Sequence, residues 1–98
     1  MKIDLNFNLV SLEGKEIEMP RKQNEQPQYQ NAGQLVAQMI SGLNKGNSIK
    51  LFDWAIKLWN KEALEVDEVD FDVLKALIEE DQNLTVLSKA QILKRFKK

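Results

Sequence analysis

Residues 49–61, IKLFDWAIKLWNK, restrict what this chain can fold into more than any other stretch. Wound as an α-helix at about 100° per residue, Lys50, Asp53, Lys57, Asn60 and Lys61 fall within an arc of roughly 100°. Ile49, Leu51, Phe52, Trp54, Ala55, Ile56, Leu58 and Trp59 fill roughly 220° of the remainder, where a surface helix needs little more than about 100°. The pattern predicts a central helix covered on more than one side, by a hairpin, by both neighbouring helices and by another subunit. Trp59, near the middle of the apolar arc, reads as core. Trp54 lies at the edge of the arc, where a core place is favoured and partial exposure is the alternative. With Ile49 and Ile56 it is a candidate partner contact, since large aromatic residues often carry much of an interface's energy.

The N-terminal segment has the other period. Ile3, Leu5, Phe7 and Leu9 alternate with Asp4, Asn6 and Asn8, which predicts a strand with one buried face. Glu13-Gly14 signals a tight turn, and Ile17 and Met19 alternating with Glu16 and Glu18 predict a returning strand. A lone hairpin is marginal in water, so its apolar face must rest on helices. PRKQNEQPQYQN, residues 20–31, keeps neither period and reads as a mobile polar linker, with Tyr29 as its only aromatic residue.

Asn31 suits the cap of a helix striped by Leu35, Val36, Met39, Ile40 and Leu43. Gly46 suits its left-handed stop, and Asn47 or Ser48 the next cap. Residues 63–66, ALEV, form a short extended link. EVDEVDFDVL, residues 65–74, raises the question of metal binding. An EF-hand loop begun at Asp67 would put Val69 at position 3, Asp72 at the glycine position and Ile78 at the bidentate glutamate position, so the loop is excluded. Asp67 instead predicts an N-cap, with Glu68 and Asp70 in a first turn whose N–H groups and dipole favour negative charge. Phe71, Leu74, Leu77 and Ile78 stripe that helix, with Val73 beside them. A last helix is predicted from about 84 to 96.

With no cysteine and no histidine, the chain lacks thiolate ligands, disulfides and the usual neutral-pH proton shuttle. Its glycines form no phosphate-binding loop, and Ser41 and Ser88 have no histidine base. The sequence predicts a non-enzyme without metal or cofactor. Its apolar runs are too short to span a membrane, so a cytoplasmic protein is expected. Net charge is −1, but residues 62–82 carry nine acids against Lys75, and residues 84–98 carry five bases and no acid. Opposed blocks facing each other is the simpler expectation. The alternative is a nucleic-acid contact through Lys89, Lys94, Arg95, Lys97 and Lys98.

The hairpin sequence MKIDLNFNLVSLEGKEIEM, the middle LVAQMISGLNKGNSIKLFDWAIKLWNKEALEVDEVDFDVLKALIEE and the closing NLTVLSKAQILKRF together resemble short, mostly uncharacterised proteins of tailed phages and prophages. The resemblance implies a mobile-element setting, in the bacterial host cell or associated with the virion, and brings no site residues with it. The expected architecture is one α+β domain over 1–98. An N-terminal β-hairpin (1–19) packs on a small bundle of about four helices (32–98), joined by the 20–31 linker. The expected function is that of a non-catalytic accessory protein acting through contact with a protein partner or with itself.

Overall fold

The computed structural model describes residues 1–19, 24, 26, 28–44, 46 and 48–96. The fold is α+β. In chain order it comprises β1 (Lys2–Ile3), α1 (Ala32–Ser41), α2 (Ser48–Trp59), β2 (Leu64–Glu65), α3 (Glu68–Glu80) and α4 (Val86–Leu93).

The period-two segment buries the face its spacing demands: Ile3, Leu5 and Leu9 are enclosed, while Asp4, Asn6 and Asn8 face solvent. The Ser11 N–H donates to the Lys15 carbonyl (2.8 Å) and the Ile17 N–H to the Leu9 carbonyl (3.0 Å). Gly14, at φ 84°, closes this hairpin in the left-handed region that its tight loop requires. Nearer its start the strand leaves the hairpin. Lys2 and Ile3 pair antiparallel with Glu65 and Leu64, so the extended link after α2 becomes β2 of a two-stranded sheet. Alternation fixes which face is buried, not which chain segment supplies the neighbouring backbone.

The linker expectation fails at its far end. Tyr29 bridges Glu18, and the Met19 N–H donates to the Gln28 carbonyl (2.7 Å). Three segments then join in a ring of main-chain bonds. The Leu9 N–H donates to Gln30, Gln30 to Ile17 (both 2.8 Å) and Ile17 back to Leu9. Polar side chains leave such pairing open because only the backbone takes part. Residues 20–23, 25 and 27 of that linker lie outside the described residues.

The ring delivers the chain to α1 with its exposed donors answered. A helix begins with N–H groups that lack internal partners. Here Ala32 donates to the Phe7 carbonyl (2.8 Å), Gly33 to Leu5 (2.9 Å), and Gln34 to Oδ1 of the capping Asn31 (3.1 Å). Asn31 is itself buried, and its Nδ2 donates to Asn6 Oδ1 (3.2 Å). α1 stops at Gly42, before the expected Gly46, which makes its own left-handed turn at φ 92°. Ser48 is already helical, and Asn47 lies outside the described residues.

α2 ends in a Schellman turn without glycine. The Glu62 N–H reaches the Lys57 carbonyl (2.9 Å), the Lys61 N–H reaches Leu58 (3.1 Å), and Lys61 sits at φ 64°. A side chain there costs roughly 1 kcal/mol that glycine avoids. Lys61→Gly is therefore expected to raise the unfolding free energy by about 0.5–1 kcal/mol, read by urea titration.

Asp67 caps α3, its Oδ1 accepting from the Asp70 N–H (2.7 Å), with Glu68 and Asp70 in the first turn. The acidic run thus starts a helix. α4 is shorter than its predicted span: Thr85 caps it and it ends at Leu93. Phe96 lies beyond the helix and folds back on Phe71, ring centroids 5.3 Å apart. Gln91 ties α4 to the hairpin with both ends of its amide. Its Oε1 accepts from the Val10 N–H (2.9 Å) and its Nε2 donates to the Val10 carbonyl (2.7 Å), as a neighbouring strand would.

Candidate functional site

α2 carries two apolar rows. Leu51, Trp54, Ala55 and Leu58 are buried in the core that also takes in Val36, Ile40 and Leu64. Ile49, Phe52, Ile56 and Trp59 form a second row roughly 130° round the helix. They are 85%, 67%, 44% and 49% exposed. Within the described chain this row is left uncovered.

Trp54 takes the core place favoured for it, so its alternative role as a partner contact falls away, and Trp59, expected in the core, does not. Trp54 is buried at 6% exposure and offers no contact to a partner, whereas Trp59 is half open. The physical reason is the breadth of the apolar arc. A helix greasy over some 220° satisfies a single core with either side, and its own sequence does not choose. The neighbours choose, because α1 and β2 close over the row that holds Trp54. Ile49 and Ile56, the other two candidates, are exposed. Phe52 and Trp59 complete the row, and their 3-4-3 spacing with the isoleucines is the signal that identifies it.

A groove of about 680 Å³ opens beside this row, between the end of α1 and the start of α2. Ile40, Leu43, Ile49, Leu51, Phe52 and Ala55 supply its apolar lining. The row has polar margins. On α1, Gln34 donates through Nε2 to the Trp59 carbonyl (3.1 Å), and Gln38 and Ser41 follow it at helical spacing. On the other flank Lys57 pairs with Asp53 at 3.3 Å. Lys50 reaches across to Asp70 at the start of α3 (3.0 Å).

Among the described basic residues singled out for nucleic acid, Lys89 and Arg95 make contacts within the chain. Lys89 donates from Nζ to the carbonyls of Glu79 and Asp81, closing the end of α3 where the dipole favours a cation. The Arg95 guanidinium lies 4.1 Å above the Phe7 ring, a cation–π contact. Lys94 is exposed, and Lys97 and Lys98 lie outside the described residues. Lys89 thus meets the acidic segment through main-chain carbonyls.

No family model, curated protein or solved structure matches this chain. Among the described residues no helix is long and apolar enough to cross a membrane, and no group of three or more carboxylates is placed to hold a metal ion. The α2 row offers an exposed apolar line beside a groove, with polar side chains along both margins.

Proposed function

We propose that this chain is a non-catalytic accessory protein of a tailed phage or prophage, acting in the bacterial cell or on the virion through protein–protein contact at the exposed row of α2. The observation that carries the reading is the row itself. Two isoleucines, a phenylalanine and a half-open tryptophan lie in one line beside an apolar groove. Monomeric proteins seldom expose contiguous apolar patches beyond about 300–600 Å², and those that do usually use them. A chain without histidine or cysteine has few means for acid–base or nucleophilic catalysis, which supports contact as the mode of action.

The test is a charge placed in the row. Phe52→Asp puts a carboxylate on a side chain already in solvent, so the fold is expected to persist, with an unchanged far-ultraviolet circular dichroism spectrum. Binding to the partner chain, whatever its identity, is expected to fall at least about tenfold, the scale of losing one anchoring aromatic residue. Full binding by Phe52→Asp contradicts the reading.

A further inference from the structure

We infer that the occupant of the α2 face is a second copy of this chain, joined about a two-fold axis with the two α2 helices antiparallel; this rests on the contact reading above and names its partner. A two-fold interface must be self-complementary, since the same patch serves both sides. The row meets that condition in its spacing. Ile49, Phe52, Ile56 and Trp59 are separated by three, four and three residues, which reads the same from either end. Reversing the helix therefore superposes row on row, with Ile49 facing Trp59 of the mate and Phe52 facing Ile56.

The side-chain sizes fit the same register. Every facing pair then joins one aromatic ring to one isoleucine, so large meets small in all four layers, as close packing requires. No layer sets ring against ring or leaves two short side chains opposed. The register also brings each Trp59 to Ile49 of the mate, at the edge of the 680 Å³ groove that Ile49 and Phe52 help to line. A half-exposed indole and an apolar groove become anchor and pocket, twice over.

Charge agrees as well. Asp53 and Lys57 flank the row near its midpoint, 3.3 Å apart. The two-fold sets two such pairs side by side with alternating signs, each lysine near the aspartate of the mate as well as its own. Gln34, Gln38 and Ser41 give the face a polar margin, as the rim of a specific interface has.

Mass and register test this together. Sedimentation equilibrium of the full chain is expected to give twice the 11.3 kDa chain mass at high concentration, and Phe52→Asp to return it to 11.3 kDa. Because the chain has no cysteine, single cysteines report the pairing cleanly. Asp53→Cys chains lie about 3 Å apart along the axis in the antiparallel register, and Asn60→Cys chains about 18 Å apart. A short bis-maleimide is expected to link the first and not the second. A mass of 11.3 kDa at every concentration overturns the inference, as does Asn60→Cys linking as readily as Asp53→Cys. A monomer that binds a different protein through Phe52 overturns the self-pairing while the contact reading stands. A monomer whose face binds no protein overturns both.

Discussion

Phe71→Ala is expected to lower the unfolding free energy by about 3–5 kcal/mol, the usual range for removing a buried phenylalanine. Phe71 sits in the first turns of α3, 1% exposed, in the core with Ile3, Leu5 and Leu64. Its ring also holds Phe96, tilted by 55° at 5.3 Å, which brings the chain after α4 back to the core. Truncation leaves a cavity and frees that return segment together. A domain of this size has about 5–15 kcal/mol of stability, so the loss consumes much of it. At roughly 4–8 °C per kcal/mol, the melting midpoint should fall by at least about 12 °C. Circular dichroism melting checks this. A fall of only a few degrees would mean that Phe71 does not join α3 to the return segment.

Gly33→Val is expected to cost about 3 kcal/mol, at the upper end for overpacking. Gly33 lies in the first turn of α1, where three parts of the chain cross. A Cβ there would stand 3.2 Å from the Leu5 carbonyl oxygen, the Leu58 carbonyl oxygen and Asn31 Oδ1. Two of those atoms are backbone and the third caps the helix, so relief means shifting groups that already accept the hydrogen bonds described above. The Leu5 oxygen accepts the N–H of Gly33 itself. Gly33→Ala sets the same crowding against a gain in helix propensity of about 0.5–1 kcal/mol, and should cost less than valine. Urea titration of both variants gives the order: wild type, alanine, valine. Valine as stable as wild type would show that α1 does not rest on the N-terminal segment and α2 at this point.

Much of the fold was legible because local chemistry determined it. Gly14 marks its turn, Asn31 and Asp67 cap the helices they were expected to cap, and alternation through Leu9 gives the buried face. Pairing was not legible. Lys2 meets Glu65 across sixty-three residues of chain, and backbone pairing leaves no trace in side-chain order. The double bond from Gln91 to Val10 is hidden for a related reason, since a glutamine on a helix reads as a solvent residue until a strand edge arrives beside it. The candidate site was half legible. Its excess of apolar surface is in the sequence, and Ile49 and Ile56 were identified. The opening of Trp59 to solvent depended on where α1 and β2 settle, which is tertiary information.

In the paired protein proposed above, the mate covers the row that holds Trp59. Trp54 is buried, so acrylamide quenching of the intact chain reports chiefly on Trp59, half open in the single chain. As protein concentration rises, quenching is expected to fall toward that of an enclosed indole and emission to move to shorter wavelength, in step with the doubling of mass. Quenching that stays at the half-open level from dilute to concentrated solution would contradict the claim.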